Sequence, residues 1–202
     1  MELNTKDLMD SIVKNISSIE HIKPKEIPDI ELYMDQVTTL INSRLGTFRH
    51  FGNDKPLTKT MINNYAKNNL LPSPNRKKYS KDHILTLIFI YYFKNIVSIN
   101  EIRKILDPVT KKFFGQKQDL QLEEIYQSVF SIKPDLQRAL EHDIAEKLQL
   151  SQASVKKLKH IQSDDEEFLQ AFTLICTLAI DIYMKKIIIE QLIDSVSDSF
   201  KK

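Results

Sequence analysis

Apolar residues recur every three or four positions along most of the chain, a spacing typical of helices that bury one side. Capping residues and prolines divide this pattern into separate segments. The predicted helices cover residues 6–18, 30–45, 83–97, 99–106, 122–132, 134–148, 152–161 and 167–195, and one further short helix begins after Thr58. The pattern therefore predicts a mainly α protein.

Single residues set several of these bounds. Asp29 is expected to cap the helix at 30–45, Pro108 to end the helix at 99–106, and Ser151 to cap the helix at 152–161. The prolines within residues 21–28 predict a linker there, and residues 107–119 are expected to form a connector between the two halves of the chain.

Two helices carry more apolar surface than one buried side. Residues 83–97 are apolar almost all round, which predicts a helix buried on most sides and too short for the roughly 20 residues of a bilayer crossing. The helix at 167–195 has two apolar sides, so we expect it to be central to a bundle and to supply the interface of a homodimer. The residues predicted to form this interface, or a ligand pocket, are Phe168, Phe172, Ile175, Ala179 and Ile182.

Positive charge is concentrated in one window of the chain. Residues 55–81 contain seven Lys or Arg and no Asp or Glu, whereas the whole chain has a net charge of only +2. Outside this window 22 basic residues face 27 acidic ones, which gives −5. Because a polyanion responds to local potential, such a cluster favours a nucleic-acid partner.

The order of residue types within the window indicates a helix followed by a basic hairpin. Thr58 is a favourable N-cap, and Met61, Ile62 and Tyr65 give the short helix one apolar edge. Its other side carries amides and lysines that can reach phosphates and base edges in the major groove, and prolines and a basic tip follow. The residues expected to contact double-stranded DNA are Thr58, Lys59, Thr60, Asn63, Asn64, Lys67, Arg76, Lys77 and Lys78.

Four runs in this region resemble the DNA-binding head of MerR-type transcription regulators. They are Ile62-Asn63-Asn64-Tyr65, Leu70-Leu71-Pro72-Ser73-Pro74, Lys78-Tyr79-Ser80 and Ser98-Ile99-Asn100-Glu101-Ile102. The chain also looks like a member of an uncharacterised bacterial domain-of-unknown-function family built around such a head. The resemblance implies transcription regulation by a dimer that reads two half-sites.

Together these patterns predict a mainly α fold with a winged helix-turn-helix (MerR-like) head, a small β wing and a C-terminal helical bundle. Residues 1–28 are expected to form an N-terminal helix and linker, residues 29–106 the DNA-binding head, and residues 107–202 a helical dimerisation region with room for an unidentified effector.

Composition argues against most catalytic classes. The three glycines are too far apart for a phosphate-binding loop, and the single cysteine, Cys176, excludes an intramolecular disulfide and a thiolate zinc cluster. No nucleophile, paired carboxylate or converging ligand set is recognisable, so we expect no enzyme, metal or cofactor. The first ten residues show no basic-then-apolar leader, which predicts a cytoplasmic protein without a membrane partner.

Two other functions remain open from the sequence. A protein-interaction module could keep the winged fold without binding DNA, as favoured by Asn63 in place of the usual arginine and by the long loop at 46–56. A ligand-binding helical protein could instead line a pocket with Phe168, Phe172 and Ile175.

Overall fold

A computed structural model describes residues 5–17, 21–45, 57–117, 119–159 and 162–199. The loop predicted at 46–56 lies outside these residues. The helices are α1 (Thr5–Ser17), α2 (Met34–Leu45), α3 (Lys59–Lys67), α4 (Lys81–Phe93), α5 (Ile99–Phe113), α6 (Leu122–Ser131), α7 (Lys133–Val155) and α8 (Ser163–Ser199), with a 3₁₀ turn at Pro24–Glu26 and strands β1 (Leu32–Tyr33) and β2 (Lys78–Tyr79). The expected mainly α character is confirmed.

The chain divides into two compact units. The head unit comprises His21–Ser131 and Ile189–Lys202, and the bundle unit comprises Met1–Glu20 and Ile132–Ile188. The sequence had suggested boundaries after residues 28 and 106. Helix α8 contributes residues to both units.

The segment predicted as a linker is instead part of the core of the head unit. Ile22 and Ile27 are buried, and the Tyr126 hydroxyl donates a hydrogen bond of 2.7 Å to the carbonyl oxygen of Ile22. Burial raises the pKa of Tyr126, so this hydroxyl keeps its proton and remains a donor. Apolar side chains on both sides of Pro24 are the reason that the prolines do not mark a free linker.

Helix α4 occupies the middle of the head unit, as the sequence predicted. Its buried residues lie around the whole circumference, and α2, α5, α6 and β2 all contact it. The buried side chains are His83, Ile84, Leu85, Thr86, Leu87, Ile88 and Ile90. The helix ends at Phe93 rather than at residue 97.

The start of α2 differs from the prediction. The helix begins at Met34 and not at residue 30, because β1 precedes it and pairs antiparallel with β2. Leu32 lies opposite Tyr79, and Tyr33 lies opposite Lys78. The Tyr33 amide donates a hydrogen bond of 2.8 Å to Gln36 Oε1, which caps the first turn in the place assigned to Asp29.

Two predicted helix ends are wrong because tertiary packing prevails over local propensity. Pro108 lies inside α5, where a proline costs about 3 kcal/mol. Val109 and Phe113 beyond it are partly buried against the core, and full burial of one such side chain stabilises a fold by about 1.5–3 kcal/mol. Ser151 lies inside α7, is buried, and donates a hydrogen bond of 2.8 Å to the Leu148 carbonyl oxygen instead of capping a new helix.

In the bundle unit, α1 packs on α7, and α7 is joined to α8 by an ionic contact. Lys147 on α7 forms ion pairs with Asp143 of the same helix and, at 3.3 Å, with Asp181 of α8. These carboxylates raise the pKa of Lys147, so the ammonium stays charged. Among residues 165–188, whose side chains are described, only Leu174 is buried.

His83 at the start of α4 is a buried titratable group of the head unit. Its Nδ1 accepts a hydrogen bond of 3.0 Å from the Ser80 amide, so the neutral ring carries its proton on Nε2. Nε2 is buried without a hydrogen-bond partner among the described residues. The rings of Tyr79 and Phe114 lie edge-on to the imidazole, with ring centres 5.4 and 4.7 Å from its centre. Burial lowers the pKa of His83.

We therefore expect the free energy of unfolding to fall as the pH decreases through about 6.5, the ordinary pKa of histidine. Below that pH the histidine binds a proton in the unfolded state but not in the folded state, where its pKa is lower. The free energy of unfolding therefore falls by at most about 1.4 kcal/mol per pH unit. Urea unfolding at pH 7.5 and 5.5 measures this difference. His83→Gln keeps a side-chain acceptor at the same capping position and should reduce the difference, whereas an unchanged pH dependence would contradict the assignment.

Candidate nucleic-acid interface

A pair of side-chain hydrogen bonds fixes the beginning of α3. Asn42 on α2 accepts from the Leu57 amide at 3.0 Å and donates to the Leu57 carbonyl oxygen at 2.9 Å. Thr58 follows with extended backbone, and its hydroxyl accepts from the Met61 amide at 3.2 Å, as the sequence predicted. These hydrogen bonds hold the start of α3 against α2, in addition to the apolar contacts between the two helices.

Helix α3 has the two sides that its sequence predicted. Ile62 and Tyr65 are buried in the core of the head unit, and Met61 packs against that core. The opposite side is exposed and consists of Lys59, Thr60, Asn63, Asn64 and Lys67, with Thr58 exposed at its start. The structure therefore brings the predicted polar contact residues of this helix onto one accessible face.

The helix ends in a Schellman motif and not at the prolines that follow. The Leu70 amide donates to the Tyr65 carbonyl oxygen at 2.9 Å, and the Asn69 amide donates to that of Ala66 at 3.2 Å. Asn69 has a φ of +56°, a conformation that asparagine tolerates better than most residues. Leu70 is then buried, which anchors the chain before the hairpin.

The basic tip is a tight hairpin turn that spans Asn75 to Lys78. The Lys78 amide donates a hydrogen bond of 2.8 Å to the Asn75 carbonyl oxygen. The two central residues, Arg76 and Lys77, have φ values of +47° and +64°, as a type I′ turn requires. Left-handed backbone costs about 1–2 kcal/mol for a residue other than glycine, so two cationic side chains occupy strained positions at this tip.

The hairpin is tied to the core through the two-stranded sheet. Lys78 and Tyr79 form β2 and pair with β1 immediately after the turn. Tyr79 is buried, whereas Arg76 and Lys77 are exposed. The strained tip therefore projects from an anchored base.

The cations of this region differ in their partners. Lys59 forms an ion pair with Asp35, and the Lys78 ammonium lies 5.6 Å from the centre of the Tyr33 ring. Within the described part of the chain, Lys67, Arg76 and Lys77 form no ion pair. The charge available to a polyanion is therefore greatest at the hairpin tip and at the end of α3.

Tyr33 and Asp35 belong to this surface although the sequence did not single them out. Tyr33 is half exposed on β1 opposite Lys78, and Asp35 lies in the first turn of α2. The sequence placed both inside a helix from residue 30. A two-residue strand leaves no periodic signal, and only its pairing with β2 reveals the contact.

The predicted interface or pocket residues of α8 are all exposed: Phe168, Phe172, Ile175, Ala179 and Ile182. The Phe168 and Phe172 rings stack with centres 6.3 Å apart. A cavity of about 530 Å³ in the bundle unit lies elsewhere, between α1 and α7, with Met9, Val13, Ile144 and Leu148 among its lining residues. The five residues thus form a surface face and do not line this cavity.

Within the described ranges, no three or more His, Cys, Asp or Glu side chains are grouped to hold a metal ion. The one cysteine, Cys176, is a partly buried thiol on α8. No helix in the same ranges combines the length and apolar content that crossing a membrane requires.

Fold and site together define a mainly helical domain that presents a polar helix face beside a basic hairpin. Residues 22–129 match the family described as Domain of unknown function (DUF1836). Because the match covers more than half of the chain, the protein belongs to this family. The matched range nearly coincides with His21–Ser131, the longer segment of the head unit.

Membership of a domain-of-unknown-function family is therefore confirmed, while the family match does not bear on the MerR-type resemblance. Searches of curated proteins and of solved structures found no significant match.

Replacing the two strained tip residues should stabilise the head unit. Arg76→Asn with Lys77→Gly supplies the pair that type I′ turns favour, so we expect the free energy of unfolding to rise by about 1–2 kcal/mol. Chemical denaturation measures the change. Lys156→Asn with Lys157→Gly removes the same charges at the end of α7, where Lys156 has a φ of −59°, and should give no gain. A double tip variant no more stable than the parent would show that the turn stores no strain.

Proposed function

We propose that the head unit binds double-stranded DNA through α3 and the hairpin tip, and that the protein acts as a MerR-like transcription regulator in dimeric form. One observation carries the proposal. Arg76 and Lys77 occupy left-handed positions that Asn and Gly would fill at lower free energy, yet both are exposed and have no ion-pair partner within the described residues. A strained turn that keeps two cations is explained by an anionic partner.

Shape supports a duplex over a smaller anion. Helix α3 has nine residues and is about 13 Å long, a size that the major groove of B-DNA admits. Its exposed face carries Asn63 and Asn64, and asparagine can pair bidentately with adenine. Contacts from α3 to base edges would specify sequence.

Contacts from the hairpin would fix the position of the head on the backbone. Arg76 and Lys77 project beyond the sheet, where they suit the phosphates that flank a groove. Binding by such cations releases condensed counterions and is therefore strongly salt-dependent. A local cluster of this kind can support DNA binding even though the whole chain carries a net charge of only +2.

The order of elements supports the hypothesis of a MerR-like regulator. A helix, a second helix with a polar face, a basic hairpin and two further helices follow one another from α2 to α5. In a dimer, two such heads would read two half-sites separated by helical turns of DNA. An effector that altered the dimer would then change how the heads meet DNA, which is the regulatory part of the proposal.

The ion pair between Lys59 and Asp35 favours a second candidate function. It neutralises one cation of the proposed recognition face, and Asn63 replaces the usual arginine there. A protein-interaction module that retains the fold without DNA binding would have this lower charge. Salt-dependent binding to DNA separates the two functions, because a protein partner has no counterion atmosphere to release.

Affinity for a random-sequence duplex should fall steeply with salt concentration, and the tip should supply part of that slope. For Arg76→Ala with Lys77→Ala, the slope of log affinity against log salt should decrease by about 0.9 per lost contact, or about 1.8 for the pair. Fluorescence anisotropy over a salt series measures it.

Lys156→Ala with Lys157→Ala is the matched control, since these are two adjacent exposed lysines of the bundle unit. It should leave the slope unchanged. Equal losses in both variants would indicate an effect of net charge alone, and no binding at low salt would reject DNA as the partner.

Removing the carboxylate beside Lys59 should strengthen DNA binding. Asp35→Asn releases Lys59 for a phosphate, so affinity should rise and the salt slope should steepen by up to about 0.9. Asp29→Asn makes the same charge change in the head unit next to Lys81, outside the proposed face, and should have the smaller effect. If Asp29→Asn matches or exceeds Asp35→Asn, α3 does not face DNA.

A further inference from the structure

Within the described residues, the part of α8 in the bundle unit exposes nine large apolar side chains. Phe168 is 68% exposed and Ile182 is 67% exposed. Monomeric proteins rarely expose contiguous apolar patches of more than about 300–600 Å². The other large exposed side chains of this stretch are Phe172, Ile175, Ile180, Tyr183, Met184, Ile187 and Ile188.

One face of this surface has the spacing of a coiled-coil seam. Phe168, Phe172, Ile175, Ala179 and Ile182 follow one another at intervals of four, three, four and three residues. This is the heptad repeat of core positions, which repeats every 3.5 residues and makes two helices wind around each other. Over two heptads the same spacing also fits the 3.6-residue period of an ordinary amphipathic helix. A helix that packed only on its own globular unit would bury this face, whereas this face is exposed.

Charges at the two ends of the seam indicate the direction of a partner helix. The next core position before Phe168 is Asp165, three residues away, and the next after Ile182 is Lys186, four residues away; both are exposed. In a parallel pair, each residue would meet its own copy, which places like charges together. In an antiparallel pair, the acidic end of one helix meets the basic end of the other.

The pattern allows two registers, and the long apolar stem of Lys186 favours the one in which it lies level with Phe168 over the one in which Asp165 lies level with Ile182. In antiparallel coiled coils the two kinds of core position face each other, so in the favoured register Phe172 of one copy lies level with Ile182 of the other, and Ile175 lies level with Ala179. Phe168 is then level with Lys186, within one turn of Asp165. In this register four of the five seam residues of one copy meet a seam residue of the other, and the small Ala179 receives the larger Ile175. Phe168 meets Lys186, whose methylene stem is apolar.

We infer that α8 pairs with α8 of a second copy of the chain as an antiparallel coiled coil over Phe168–Ile182. The occupant is a second copy because the face is complementary to itself, in both apolar spacing and end charge. The inference depends on this face alone and not on DNA binding, although a dimer formed in this way would serve the proposed function. Its test therefore uses no DNA.

Disulfide trapping tests both the partner and the direction. In the full chain with Cys176→Ala, Phe172→Cys and Ile182→Cys in the same molecule should give a covalent dimer on oxidation, whereas each cysteine alone should not. Residues ten apart on one helix are about 15 Å apart, too far for a disulfide within the chain. Covalent dimers from each single-cysteine chain would overturn the antiparallel direction, and none from any variant would overturn the seam.

Solution mass provides a second, independent measurement. Light scattering should give the dimer for the parent chain and mainly the monomer for Ile182→Asp. Ile30→Asp is the matched control, because Ile30 is 68% exposed in the head unit and should leave the dimer intact. A monomeric parent at all accessible concentrations, or equal dissociation by both variants, would overturn the inference.

Discussion

The enclosure of α4 is the constraint on which the head unit depends. This helix carries apolar side chains around its whole circumference, so water must be excluded from every side of it. Helices α2, α5 and α6 and strand β2 supply that enclosure. Packing around α4 keeps α5 helical through Pro108. The buried cluster also includes Ile22, which lies in a segment rich in proline. These four elements are thus placed by what they cover on α4.

The candidate site follows from burial in the same core cluster. Burial of Ile62 and Tyr65 leaves the polar side of α3 facing outward, and the Asn42 contacts with Leu57 fix where that helix begins. The hairpin projects because β2 returns directly to the core after the turn. Arg76 and Lys77 are therefore presented by a rigid base, which limits the entropy lost when such side chains bind a partner. In the head unit the exposed side of α3 is polar, whereas in the bundle unit the exposed face of α8 is apolar.

Features governed by short-range chemistry were predictable from the sequence. The Thr58 cap, the two sides of α3 and the buried character of α4 follow from side-chain type and helical period alone. Features governed by partners distant in sequence were not. Strand β1 is two residues long and exists through its pairing with residues 78–79. Helix α5 continues beyond Pro108, where Val109 and Phe113 pack on the core.

By itself, the sequence determined a mainly helical protein, the apolar and polar sides of its helices, and a window of seven cations without an acid. These properties depend on neighbours within one or two helical turns, which the chain order specifies completely. The tertiary structure decided which cations are paired, since Asp35 meets Lys59 only once α3 packs beside α2, where Asn42 holds Leu57. It also decided that the seam of α8 is left exposed, because burial is a property of the whole packed unit and not of any single segment.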